Sequence, residues 1–103
     1  MTGSSIFTLA LTGDISVKSA QDTLGHLKQA LTEHTAIALD TSGVTNADVT
    51  TVQTLLAART KAQALGKSLT FMGPPGAKLQ AVLDGAGFMS PAQPAVRFWT
   101  EHI

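Results

Sequence analysis

The sequence has no cysteine and no excess of charge of either sign, and each absence excludes a class of function. Without cysteine, the chain of 103 residues forms neither disulfides nor cysteine-based zinc or iron–sulfur sites. Its seven basic and seven acidic residues cancel and form no basic cluster, so we expect no nucleic-acid partner. The three histidines are scattered along the chain, and the sequence therefore predicts no metal site and no cofactor.

Long hydrophobic runs are also missing. Polar residues interrupt every apolar stretch well before the roughly 20 residues that a membrane-spanning helix requires. The N-terminus has no basic segment followed by an apolar one, which is the pattern of a secretory signal. From these two observations we expect a cytoplasmic protein that does not insert directly into a membrane.

The chain does contain enough apolar sequence for one hydrophobic core. Hydrophobic residues make up 44% of the sequence and charged residues 14%, which are proportions found in globular proteins. A chain of this length commonly forms one domain. We therefore expect residues 1–103 to form a single domain.

Segments typical of strands and helices alternate along the chain. The sequence predicts strands at 6–11, 36–40 and 68–72, a third helix over 79–86, and a tail segment, 96–99, that is either a last strand or a docked segment. Because such alternation implies right-handed crossovers, we expect an α/β fold. Its sheet should be mixed, with four to five strands, and flanked by three to four helices.

The first two helices are predicted from the spacing of their apolar residues. Intervals of three and four place one set on a single face of the first helix: Val17, Ala20, Leu24, Leu27 and Leu31. The second helix begins after Asp48, a typical N-cap residue, with the apolar set Val49, Val52, Leu55, Leu56, Ala62 and Leu65. We expect both sets to face the core. For Phe98 and Trp99 we favour core packing, with an exposed anchor for a partner as the alternative.

Two features that superficially suggest catalysis have simpler interpretations. Glu33 and His34 lie at the predicted end of the first helix, where a polar cap region is common. The glycine-rich segment 73–76 lacks the Lys-Ser/Thr pair of a phosphate-binding loop, and its prolines remove amide donors. We therefore expect no enzymatic activity.

Four stretches of the chain, taken in order, resemble the STAS domain of the anti-sigma-factor-antagonist family. They are Leu11–Ile15, Ile37–Val44, Ala47–Val52 and Leu79–Phe88. The resemblance implies a single STAS-like domain that binds a kinase-like regulator and is released by phosphorylation at the start of the second helix. In the family pattern an Asp is followed by a Ser or Thr acceptor, a small residue and a Gly.

This sequence departs from the family pattern at the acceptor. Asp48 matches the Asp, but Val49 stands at the acceptor position and Thr51 where the Gly is expected. The switch is therefore either absent or displaced to the hydroxyls of Thr50 and Thr51, which we take as phosphorylation candidates because a helix N-terminus accommodates phosphate. The alternative is that Asp48 is only an N-cap and both threonines are ordinary first-turn residues.

The predicted docking surface combines this helix start with the loop before it. That loop follows a buried strand, and open α/β sheets bind ligands at the carboxyl ends of their strands. Asp14 corresponds to a frequent acidic position of the family, although a turn role also explains it. The candidate partner-binding residues are Asp14, Thr41, Ser42, Thr45, Asn46, Asp48, Thr50 and Thr51.

The resemblance implies a non-catalytic regulatory adaptor in a signalling or partner-switching system. Its partner would be a regulatory kinase or ATPase, and we favour an anti-sigma factor or a chemotaxis-type histidine kinase. One alternative is a small STAS subunit of an ATP-binding-cassette complex for lipid transport, in which the same helix start contacts the ATPase. A second alternative is a module that senses a small molecule.

Overall fold

The computed structural model describes residues 6–93 and 95–100, so both ends of the predicted 1–103 domain lie outside the described residues. The described part contains five strands and four α-helices. Their order is β1 (Phe7–Ala10), β2 (Gly13–Asp14), a 3₁₀ turn (Val17–Ser19), α1 (Ala20–Glu33), β3 (Ala36–Asp40), β4 (Val44–Asn46), α2 (Val49–Ala64), β5 (Ser68–Phe71), α3 (Ala77–Gly85) and α4 (Val96–Thr100). The α/β class is confirmed, with strand and helix numbers within the expected ranges.

The strands form two small parallel sheets instead of the single mixed sheet we expected. The larger has the order β1-β3-β5, and the smaller pairs β2 with β4; every pairing among the described strands is parallel. Helical crossovers explain the first sheet, because α1 returns the chain from β1 to β3 and α2 returns it from β3 to β5.

The second sheet continues the β1–β3 ladder beyond a bend. Gly13 has a φ of +74°, a left-handed conformation that glycine adopts without strain, and the register shifts between Gly13 and Asp14. Backbone bonds nevertheless run on past the bend, from Leu11 to Asp40, from Gly13 to Gly43 and from Ile15 to Asn46. The bend therefore carries both strands toward the start of α2.

The helices cover the larger sheet, but three residues predicted to face the core are exposed: Val17, Val49 and Leu65. The α-helix begins at Ala20, and Val17 lies in the preceding 3₁₀ turn with 62% of its surface exposed. Since a 3₁₀ turn has three residues per turn, the face predicted from α-helical spacing is not continuous there. α1 instead buries Thr23, Leu27, Ala30 and Leu31. In α2, the buried set begins at Thr51 and Val52, and Val49 is 46% exposed.

The C-terminal segment docks as a short helix and contributes to the core. Phe98 and Trp99 are buried, and both rings contact Phe71 at centroid distances of 4.9 and 5.8 Å. The tail is therefore a docked segment that packs in the core, not a strand or an exposed anchor. The indole N–H of Trp99 is buried without a hydrogen-bond partner in the described part of the chain. Such a donor costs free energy because it loses its bond to water on folding.

This packing predicts different stabilities for two Trp99 variants. Trp99→Ala removes a fully buried ring and should lower the free energy of unfolding by about 3–5 kcal/mol. Trp99→Phe keeps aromatic packing and removes the unpaired donor, so its loss should be much smaller. Urea denaturation followed by far-UV circular dichroism measures both. Similar losses for the two variants would show that a phenyl ring does not restore the packing that the indole ring provides.

Candidate protein-docking site

A reciprocal pair of hydrogen bonds fixes the first turn of α2. The Asp48 carboxylate accepts from the backbone N–H of Thr51 at 3.1 Å, and the Thr51 hydroxyl accepts from the backbone N–H of Asp48 at 3.1 Å. This capping box satisfies two backbone donors that a helix start otherwise leaves unpaired. The Thr51 hydroxyl also donates to the carbonyl of Ile15 at 2.6 Å, which ties the turn to the end of β2.

The second carboxylate oxygen of Asp48 reaches another part of the chain. It accepts from the backbone N–H of Val17 at 3.0 Å, joining α2 to the 3₁₀ turn that precedes α1. This bond, together with those from the α2 backbone, lowers the pKa of Asp48, because each donor favours the charged carboxylate. Asp48 is therefore a structural junction as well as an N-cap.

Asp14 has a local turn role on the same side of the domain. Its carboxylate accepts from the hydroxyl of Ser16 at 2.5 Å and from the Ser16 backbone N–H at 2.8 Å. These bonds lower the pKa of Asp14. The residue pairs with Asn46 across β2 and β4, so both are adjacent to the start of α2.

Hydrogen bonds of Thr41 and Ser42 hold the loop before β4 in place. Asp40 accepts from the hydroxyl and backbone N–H of Ser42 at 2.7 and 3.0 Å, and these bonds lower the pKa of Asp40. The buried hydroxyl of Thr41 accepts from the backbone N–H of Gly76 at 2.9 Å. A Cβ at position 76 would lie 2.3 Å from the Thr41 carbonyl oxygen, so only glycine permits this approach. The segment 73–76 thus braces the loop.

The structure divides the predicted partner-binding residues into two groups. Thr41 and Thr51 are buried, and their hydroxyls are bonded within the domain. Their geometry gives them internal roles, and neither presents its side chain to a partner. The remaining six lie on the outer side of the loop, the bend and the helix start, exposed or partly exposed: Asp14, Ser42, Thr45, Asn46, Asp48 and Thr50.

Two apolar residues of this surface were missed because we assigned them to the core. Val17 is 62% exposed and Val49 46%; Val49 follows Asp48 in sequence, and Val17 donates its N–H to the Asp48 carboxylate. Both valines therefore adjoin the capped helix start. A signal for Val49 was present, since the family pattern puts an accessible acceptor at that position. Below, the "α2 docking surface" means Val17 and Val49 together with Asp14, Ser42, Thr45, Asn46, Asp48 and Thr50.

Comparison with family models identifies the domain. The model described as "Mlab, STAS domain" matches residues 3–89. The chain belongs to the STAS domain family. The resemblance drawn from the four sequence stretches is thereby confirmed.

The fold of this STAS domain is also similar to that of a solved structure. The structure of the anti-sigma factor antagonist SpoIIAA in its unphosphorylated form aligns with a TM-score of 0.63 and 15% sequence identity. The alignment covers 84% of this chain and 76% of that one. Comparison with curated protein sequences finds no match. In the described part of the chain, no helix is long and apolar enough to cross a membrane.

The internal role of Thr51 predicts a contrast between two neighbouring positions of the STAS domain. Thr51→Val keeps the shape of the side chain but leaves the Ile15 carbonyl and the Asp48 N–H unpaired, so it should cost about 1–3 kcal/mol of unfolding free energy. Thr50→Val, at a partly exposed position, should stay within about 0.5 kcal/mol of wild type. Chemical denaturation measures both, and equal losses would contradict the internal role.

The lowered pKa values of Asp14, Asp40 and Asp48 predict how stability depends on pH. A carboxylate whose pKa is lower in the folded state stabilises that state fully at pH values above its unfolded pKa of about 3.9. This stabilisation is lost as the pH falls through the folded pKa. Unfolding free energy should therefore fall below about pH 5. Asp48→Asn should lose about 1 kcal/mol at pH 7 and show a flatter decline. Denaturation at several pH values tests this, and a profile parallel to wild type would contradict it.

Proposed function

We propose that this STAS domain is a non-catalytic regulatory module, formed by residues 1–103 as one domain, that binds an ATP-binding protein through the α2 docking surface. The observation that carries the proposal is the exposed pair Val17 and Val49 beside the Asp48 cap. Exposed apolar side chains surrounded by polar ones are typical of protein-binding surfaces. The favoured partner is a kinase-like regulator in a signalling or partner-switching system.

The chemistry of the first turn of α2 favours docking without a phosphorylation switch at the usual position. Val49 has no hydroxyl, and that of Thr51 is buried in hydrogen bonds to Asp48 and Ile15. Phosphorylation of Thr51 would require these bonds to break. Thr50 is partly exposed and remains the candidate for modification in this turn.

A permanent contact is the second candidate function, and the same valine favours it. A small STAS subunit of an ATP-binding-cassette complex for lipid transport would need its ATPase contact to persist. An apolar side chain at position 49 supplies contact area that does not depend on modification. The identity of the partner distinguishes this candidate from the signalling adaptor.

The test compares two charge insertions at opposite ends of α2. Val49→Glu places a carboxylate within the α2 docking surface, whereas Leu65→Glu places one at the other end of the helix, at a residue that is 47% exposed. Tagged wild type and both variants are expressed in the source organism, and captured proteins are identified by mass spectrometry. The partner is then purified, and its dissociation constant with each folded variant is measured.

We expect Val49→Glu to weaken binding at least tenfold and Leu65→Glu to leave it near wild type. A kinase-like partner would support the adaptor, and the ATPase of a transport complex would support the subunit. Equal binding by the two variants would show that the docking surface is elsewhere. A partner that binds no ATP would overturn the proposed class of function.

A further inference from the structure

A second surface of the domain is a groove between α2, β5 and α4. The groove has a volume of about 450 Å³, and its polar and aromatic lining includes Arg59, Lys67, Ser68, Thr70, Arg97 and Phe98. Volumes of about 300–1,000 Å³ are typical of small-molecule sites. None of its lining residues belongs to the α2 docking surface.

The groove is positively charged although the whole chain is neutral. Three of the seven Lys and Arg residues line it, namely Arg59, Lys67 and Arg97, and none of the described lining residues is acidic. A concave surface lined by charges of one sign raises the local concentration of counter-ions. An anionic ligand is therefore the class that this lining favours.

Arg59 lies over an aromatic ring at the wall of the groove. Its guanidinium carbon is 5.5 Å from the centre of the Phe98 ring, and Phe98 is itself buried against Phe71. A cation above an aromatic ring is attracted to its face without using N–H donors, so the N–H edge of the guanidinium remains for a bidentate contact with phosphate. Within the described residues, Arg59 makes no side-chain hydrogen bond that would compete for this edge.

Lys67 is anchored at the same groove. Its ammonium donates to the backbone carbonyl of Leu31 near the end of α1. An ammonium has three donors, so two of them remain beyond this bond. The anchor fixes the position of the charge without neutralising it, because a carbonyl carries no net charge.

Neutral donors complete the lining along the free edge of β5. The Ser68 side chain is exposed at the groove, whereas the hydroxyl of Thr70, two residues further along the same strand, donates to the Ile37 carbonyl at 3.5 Å. The backbone N–H groups of Ser68 and Met72 donate to carbonyls of β3 and of the residue before it. Because successive N–H groups along a strand point to opposite sides, the N–H of Leu69 points away from β3, toward the edge of the sheet. Hydroxyl and backbone donors beside fixed cations are the groups that bind phosphate oxygens.

We propose that this groove binds a phosphate group, carried either by a soluble small molecule or by a lipid headgroup. A phosphate monoester has a charge of about −1.5 to −2 near pH 7, which the side-chain charges of Arg59 and Lys67 balance. The site is independent of the α2 docking surface, and the proposal does not rest on the proposed protein partner.

The test uses inorganic pyrophosphate as the soluble probe and vesicles as the lipid probe. Pyrophosphate is titrated into ¹⁵N-labelled full-length protein, and shifts of the backbone amides are followed by NMR. Co-sedimentation with phosphatidic acid vesicles, against phosphatidylcholine vesicles, measures the lipid source. Arg59→Gln removes the guanidinium over Phe98, and Ser68→Asp adds a repelling carboxylate at an exposed residue without removing a core contact. Lys61→Gln is the matched control, since it removes an exposed cation of α2 that does not line the groove.

We expect pyrophosphate or anionic vesicles to bind wild type, with pyrophosphate shifts concentrated at residues 68–70 and 97–98. Arg59→Gln and Ser68→Asp should weaken binding at least tenfold, whereas Lys61→Gln and Val49→Glu should leave it near wild type. Binding of pyrophosphate identifies a soluble source, and binding of vesicles alone identifies a headgroup. Failure of both probes, or equal weakening by Arg59→Gln and Lys61→Gln in folded proteins, would overturn the proposal.

Discussion

The carboxylate of Asp48 joins the start of α2 to the segment between β2 and α1, which lies 31 residues earlier in the sequence. One oxygen caps α2 through the Thr51 N–H, and the other accepts from Val17, at the entry to α1. Thr51 continues the network to the Ile15 carbonyl at the end of β2. Both carboxylate oxygens are therefore used. Val17 is bonded to the cap through its N–H, and Val49 follows Asp48 directly in the chain.

The bend at Gly13 explains why that junction forms at the surface of the domain. β1 and β3 lie side by side in the larger sheet, and their continuations pair again as β2 and β4 after the bend. The parallel register therefore delivers Asp14 and Asn46 to the helix start from two separate strands. Below them, the contact between Thr41 and Gly76 fixes the connecting loop to the segment before α3. The short sheet of β2 and β4 is therefore supported by the helix start and by the connecting loop.

Local sequence patterns predicted the elements more reliably than their exposure. The alternation of strands and helices and the Asp48 cap follow from short-range rules, and the structure has both. Exposure of Val17 depends on a 3₁₀ turn that interrupts the helical period, so spacing alone places it on the wrong face. The buried hydroxyl of Thr51 donates to the carbonyl of Ile15, 36 residues away, and no local sequence pattern predicts that hydrogen bond. The position of the helix cap could therefore be predicted from the sequence, whereas the exposure of Val17 beside it could not.

Helix α2 carries opposite charges at positions that the helix dipole only partly explains. Asp48 at the N-terminus and Lys61 in the last turn both complement the dipole, whose effect is confined to the terminal turns. Arg59 lies before the last turn, so the dipole gives no reason for a cation there. Its contacts are instead lateral, with Phe98 and the groove beside β5. Ten residues separate Val49 from Arg59, a rise of about 15 Å along one helix. The α2 docking surface and the groove therefore lie at different points along the same helix.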